Sequence, residues 1–209
     1  VTPLGGILAV WNDREGAGEA EYEAWYQGEH VPQRLGFAGF RQARRYEAVA
    51  ADRRYFTWYA LDGVAVLRAP AYLACLETPT PRTQANMPAF RRMVRAELAV
   101  VAAAGRGLGG YAVCLRRDTG SVDPAAAAPW LQQPGVTKVQ VWQAPAGPPA
   151  PMSSEIKFRG APDGTAASAL LVECLREADA QRVARALADG ADGAAHVGVY
   201  RLLCCTDAA

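Results

Sequence analysis

Residues 53–61 read RRYFTWYAL, and this short run limits the fold more than any other stretch of the chain. Strand alternation places Tyr55, Thr57 and Tyr59 on one face and Phe56, Trp58 and Ala60 on the other. Both faces are largely apolar or aromatic, whereas an antiparallel strand with one wet face alternates polar with apolar residues. Such a strand must be covered twice, by helices on one face and by a second sheet on the other. The 209 residues suit one large domain or two small ones, so the chain can supply that second sheet itself. Its 51% hydrophobic and 21% charged residues allow a sizeable core.

The chain repeats its own outline. GILAVWND (6–13) and TKVQVWQA (137–144) are apolar strand patterns that each reach a tryptophan, Trp11 and Trp142. GYAVCLRRDTG (110–120) and HVGVYRLLCCTD (196–207) close the two halves. A Pro/Ala/Gly-rich break, DTGSVDPAAAAPWLQQPG, lies between them. We read residues 1–117 as a first half, 118–135 as a linker and 136–209 as a second, degenerate half. In the first half the pattern predicts a helix over 18–34, strands near 39–47 and 54–61, and a short inserted helix over 64–78. It also predicts a long helix over 88–105, from Phe90, Met93, Val94, Leu98 and Val101 at helical spacing, with Pro88 in its first turn and Gly105 at its stop. The resulting order, β-α-β-β-α-β, is the ferredoxin-like, split βαβ pattern. The second half keeps a strand near 168–176 and a helix over 179–190, with Asp179 as N-cap and Gly190 as stop. Where its first helix belongs it has APAGPPAPMSSE, too rich in proline for a regular helix. The expected fold is α+β: tandem ferredoxin-like repeats whose antiparallel sheets pack face to face as a barrel-like core.

Chemistry concentrates in WYQGEHVPQRLGFAGFRQARRY, residues 25–46. Tyr22, Trp25, Tyr26 and Glu29 form one helical stripe with His30 at its edge. Pro32 is expected to end the helix there. A helix C-terminus and the neighbouring Glu29 would then favour protonated His30. The next strand sets Gln42, Arg44 and Tyr46 on one face and Arg41, Ala43 and Arg45 on the other. A His, a phenol and a guanidinium around an aromatic pocket can deprotonate a phenol or a β-dicarbonyl carbon and hold the anion. The bland alternative pairs Glu29 with Arg44 or Arg45 and leaves His30 as a helix cap.

The run Trp25, Tyr26, Glu29, His30, Pro32 and Arg34, then Gly39, Phe40, Ala43, Arg44, Arg45 and Tyr46, carries a family likeness. With the Y-F-x-W-Y-x-L strand and APAYLACLETPTPRT before the long helix, residues 4–117 resemble the EthD-like group of the dimeric α/β-barrel superfamily. That superfamily includes cofactor-independent monooxygenases, polyketide cyclases, lactone isomerases and haem-binding members. The resemblance implies that His30 faces the barrel cavity. It makes His30, Arg44 and Tyr46 the catalytic candidates, with Trp25, Tyr26, Glu29, Arg45 and Tyr59 binding the ligand. The second half lacks the motif, so one site is expected, with the second half as a wall and His196 a strand-end residue.

The leading expectation is a small-molecule enzyme or binding protein for phenolic, quinone-like or polyketide-like compounds, acting by proton transfer or cofactor-independent oxidation. A non-catalytic binding or assembly role is the alternative. Haem binding through His30 and RNA binding through the strand-three aromatics rank lower. The sequence has no G-x-G-x-x-G after a strand and no Walker motif, so no cofactor is expected. A net charge of +1 exerts no general pull on nucleic acid or on anionic membranes. The N-terminal VTPLGGILAVWND reads as a strand rather than a leader. The five cysteines form no C-x-x-C and sit in apolar contexts, so no metal is expected and a cytoplasmic location is the default. A homodimer is left open.

Overall fold

The computed structural model describes residues 5–16, 18–146, 155–191 and 193–209. Eight antiparallel strands close into a barrel. They are β1 (Gly6–Arg14), β2 (Phe40–Ala50), β3 (Tyr55–Leu61), β4 (Phe90–Gly105), β5 (Tyr111–Arg117), β6 (Val136–Gln143), β7 (Ser168–Cys174) and β8 (Ala195–Asp207). Their order around the barrel is β1-β3-β2-β8-β5-β7-β6-β4. Strands β4-β1-β3-β2 and β8-β5-β7-β6 are thus two four-stranded sets with the same internal order. The β2–β8 and β4–β6 ladders join them. The barrel-like core expected from sequence is a closed barrel: both seams are hydrogen-bonded and no edge is left open, which removes the exposed ladder groups that an edge strand presents.

Helices cover the barrel on two sides. Over the first set lie α1 (Glu19–Trp25), a π turn (Tyr26–His30), α2 (Val31–Leu35), α3 (Pro70–Glu77) and α4 (Pro81–Asn86). Over the second lie α5 (Ala127–Leu131) and α7 (Glu177–Asp189), and α6 (Ile156–Arg159) falls between β6 and β7 in sequence. The 118–135 break therefore carries a helix of its own. Asp179, expected as an N-cap, lies inside the first turn of α7, where a carboxylate still suits the helix dipole. Residues 147–154 of the Pro-rich APAGPPAPMSSE stretch lie outside the described residues.

Strand β3 is buried along its whole length. Phe56, Trp58 and Ala60 point into the barrel, while Tyr55, Tyr59 and Leu61 pack under the first helix layer. This two-sided burial matches the sequence pattern and leaves no strand-three face open for stacking RNA bases. Every strand contributes to the barrel interior. Trp11 stacks on Phe56 at 4.9 Å, and Trp58 of β3 meets Trp142 of β6 at 5.5 Å.

The largest correction concerns residues 88–105. The expected helix is strand β4, and the second helix position of the first half is filled by α3 and α4. The sequence VRAELAV satisfies both periods, since Val94, Ala96 and Leu98 also alternate with Arg95 and Glu97. Inside the barrel Val94, Ala96 and Leu98 are buried, and on the outer face Arg95 pairs with Glu97 at 2.9 Å. Good helix formers yield here because β4 has two ladder partners, β1 and β6, that a helix would forfeit. Strand β5, read as the closing strand of the first half, pairs instead with β7 and β8.

Trp58 is fully buried at the contact between the two sets. Trp58→Ala should therefore cost about 3–5 kcal/mol in a urea titration. A loss below about 1 kcal/mol would be that of a surface residue and would contradict this packing.

Candidate functional site

The first helix begins as expected, with Tyr22 and Trp25 buried, but does not stop at Pro32. The five residues Tyr26–His30 form a π turn, and the Val31 N–H reaches back to the Tyr26 carbonyl. The helix then resumes as α2, with Pro32 in its first turn. Proline removes one donor from a continuous α-helix, and the wider turn before it absorbs that loss without ending the helix. The extra residue also rotates the inward stripe. His30 follows Tyr26 into the protein, while Glu29 turns aside and accepts a hydrogen bond from Thr80. Because the helix continues, Arg34, one turn beyond His30, is buried as well.

These side chains meet the outer face of β2 and β3. The His30 ring lies 4.9 Å from both Trp25 and Tyr26, centroid to centroid. The Arg45 guanidinium sits 3.9 Å over the Tyr26 ring and pairs with Glu23 at 2.8 Å. Tyr59 joins the layer from β3. The Trp25 indole N–H donates to Thr83 Oγ1 at 3.2 Å, which fixes the ring against α4. Among the described residues, His30 Nδ1 and the hydroxyls of Tyr22 and Tyr59 are buried without a hydrogen-bond partner.

Burial, reinforced by Arg34 and Arg45, holds the His30 pKa well below its usual value. The expected protonated cap is thus a neutral imidazole, because desolvation and two nearby cations outweigh any dipole effect. Burial also pushes the phenols of Tyr26 and Tyr59 up, so both stay protonated. The layer presents a neutral base, protonated phenols and two guanidinium groups in aromatic surroundings. A surface cleft of about 490 Å³ opens beside it, lined by Glu19, Glu23, Gln27, Arg45, Glu47 and Tyr55, with Leu203 and Cys204 of β8.

The eight residues singled out from sequence fall into three places. His30, Trp25, Tyr26, Arg45 and Tyr59 share the outer layer. Arg44 and Tyr46 point into the barrel instead, because residues 44 and 45 alternate. Arg44 lies 4.8 Å over Trp58 and contacts Glu173 of β7 at 2.7 Å, out of line for a hydrogen bond. Glu29 stands at the layer's rim, so the expected pairing of Glu29 with Arg44 or Arg45 is replaced by Glu173 and Glu23. His30 does not face the barrel interior; a wall of strands separates them. Arg34 joins the layer although it is not among the sequence candidates; its i+4 spacing from His30 is the signal, and it counts only because the helix runs on through Pro32. Among the described residues no group of three or more His, Cys, Asp or Glu side chains is arranged to hold a metal ion. No described helix is long and apolar enough to cross a membrane.

No family model matches the sequence. No curated protein matches it either. Solved structures do. An anthrone oxidase-like protein superposes with a TM-score of 0.62 at 11% identity, covering 97% of this chain and 92% of its own. The shared fold is an α+β one built on a closed barrel of eight antiparallel strands. A Fusobacterium nucleatum protein provisionally described as a monooxygenase gives a TM-score of 0.53 at 13% identity, covering 97% and 94% of the two chains. A haem-binding protein of Thermus thermophilus gives 0.52 at 11%, covering 96% and 91%. At these identities the likeness is one of fold. In this barrel a single chain supplies both four-stranded sets.

The state of His30 has a thermodynamic consequence. In the unfolded chain a histidine titrates near 6.5. Below about that pH the unfolded state binds a proton that the folded state refuses, so His30 costs stability as pH falls towards its depressed folded pKa. The slope approaches about 1.4 kcal/mol per pH unit. Urea titrations of the wild type and His30→Gln between pH 7 and 5 isolate this contribution. The wild type's stability relative to the variant should fall with pH at that slope; a difference that stays flat would mean His30 is not held neutral.

Proposed function

We propose that the chain is an EthD-like small-molecule enzyme whose site lies in the first helix layer. His30 there transfers a proton to or from a phenolic, quinone-like or polyketide-like ligand. The observation that carries this reading is the π turn. It buries a neutral imidazole, with Nδ1 unpartnered among the described residues, near two guanidinium groups. Single π turns within α-helices recur at functional sites. A neutral imidazole can accept a phenolic proton at Nδ1. Arg34 and Arg45 favour the resulting phenolate, and the protonated Tyr26 and Tyr59 can donate to it. Proton removal stands alone or is the first step of an oxidation in which the ligand gives its electrons to dioxygen. Arg44 and Tyr46, on the far side of the barrel wall, have no part in this reading.

The fold likeness to an anthrone oxidase-like protein supports an aromatic ligand but does not name one. Haem at His30 is disfavoured by its surroundings. Two aromatic rings pack against the imidazole, and Arg34 and Arg45 oppose a cationic centre beside it. The matching strand orders support two tandem ferredoxin-like units. We divide them between Gly105 and Tyr111, with 118–135 as a connection inside the second unit. The five free cysteines support a cytoplasmic location. A homodimer is compatible with a chain that already closes its own barrel.

Deuterium exchange and oxygen uptake with a panel of phenols and hydroxyanthrones test the chemistry. His30→Gln should lower the rate by about 10²–10⁴-fold, the usual contribution of a general acid or base, without lowering the melting temperature at pH 7.5. Turnover that survives the substitution, or a variant that loses stability but still binds ligand, would leave His30 a packing residue and favour a non-catalytic binding role.

A further inference from the structure

Residues 155–164 connect β6 to β7, both in the second set of strands, yet they dock on the first helix layer. Phe158 packs against that layer's cluster. The Gly164 N–H donates to the Met93 carbonyl at 2.8 Å, and the Arg95 N–H donates to the Gly164 carbonyl at 3.0 Å. The short helix α6 ends at Gly160, in the left-handed conformation with φ of 76°. This strap turns its charges inward. Glu155 and Arg159 are 6% and 7% exposed, whereas Lys157, Gly160 and Ala161 face water.

The inward charges meet Arg34. Its Nη2 lies 2.7 Å from Glu155 Oε1. Its Nη1 contacts Cys75 Sγ at 2.9 Å, and its guanidinium lies 5.7 Å from the Tyr72 ring centroid. Glu155 Oε2 is also 3.6 Å from Arg159 Nη1, and Arg159 pairs with Asp163 at 2.6 Å. A buried ion pair is a poor fastener, because desolvating both charges offsets most of their attraction and apolar residues would hold a strap as well. An arginine beside aromatic rings, met by one carboxylate, has instead the geometry that recognises a planar anion.

We infer that Arg34 is the anion-binding residue of the His30 site. The Glu155 carboxylate occupies it until an anionic aromatic ligand takes its place and lifts the strap. The inference rests on the proposed location of the site but not on His30 performing proton transfer. Among the described residues two guanidinium groups, Arg34 and Arg159, face two carboxylates, Glu155 and Asp163. A ligand carboxylate that replaces Glu155 on Arg34 keeps that balance, Asp163 stays with Arg159, and Glu155 moves to water.

Naphthalene-2-carboxylate and its neutral isostere naphthalene-2-carboxamide are the probes, with affinities measured by calorimetry and tryptophan quenching at pH 7.5. Glu155→Gln should tighten the carboxylate at least tenfold and change the carboxamide less than threefold. Arg34→Met should abolish the preference for the carboxylate. His30→Gln should leave that preference intact, so failure of the proton-transfer reading and failure of this one read separately. In the wild type, saturating carboxylate should speed hydrogen exchange at the amides of residues 156–160, a measurement that does not depend on any variant folding. Unchanged or weaker carboxylate binding in Glu155→Gln, an equal gain for the carboxamide, or strap exchange that does not respond to the carboxylate would overturn the inference.

Discussion

Trp58 and Trp142 meet at the centre of the barrel, one from each set of strands, and much of the architecture follows from enclosing them. A closed eight-stranded barrel has an interior just wide enough for side chains to fill. Here Trp11, Tyr46, Phe56 and Tyr200 fill it together with the two tryptophans. The lumen is thus occupied by the protein's own rings. The same closure spares the chain the open strand edges that either four-stranded set would present alone.

Charge is admitted to the lumen only where it is matched. Arg44 from β2 and Glu173 from β7 reach each other across strands that are not neighbours, so the contact ties the two sets together from inside. Removing either partner would strand a buried charge, which is far costlier than replacing both. One residue along β2, alternation sends Arg45 outward to Tyr26 and Glu23. Two adjacent arginines thus serve opposite sides of the barrel wall, one in a packed core and one at the margin of a cleft.

The two helix layers are unequal. The first holds Tyr22, Trp25, Tyr26, Tyr59, Tyr72 and Phe90 around His30, whereas the second is built mainly from Val, Leu and Ala under α5 and α7. An aliphatic layer packs well but offers no donors, acceptors or base. The aromatic layer keeps polar tips inside an apolar volume. Yet the second set is not only a wall, because residues 155–164 cross to the first layer and bring Glu155 and Arg159 with them.

Amino-acid order alone is enough for the elements whose pattern admits one reading. RRYFTWYAL could only be a strand covered on both faces, the Tyr22–Trp25–Tyr26 stripe could only be a helix with an aromatic underside, and the motif around His30 distinguished the first half from the second. Tertiary contacts settled the rest. Residues 90–105 fit both helical and strand periods, and β1 and β6 made the choice by offering ladders on either side. Pro32 looked like a stop because its local effect on an α-helix is unfavourable, yet packing of the aromatic stripe held the helix together through a π turn, which exchanged Glu29 for His30 on the inner face. Alternation showed that Arg44 and Arg45 part company, but which of them enters the barrel depends on which face of β2 the neighbouring strands enclose. Local pattern fixes what a segment can be; where two conformations cost nearly the same, the partners that bury it choose between them.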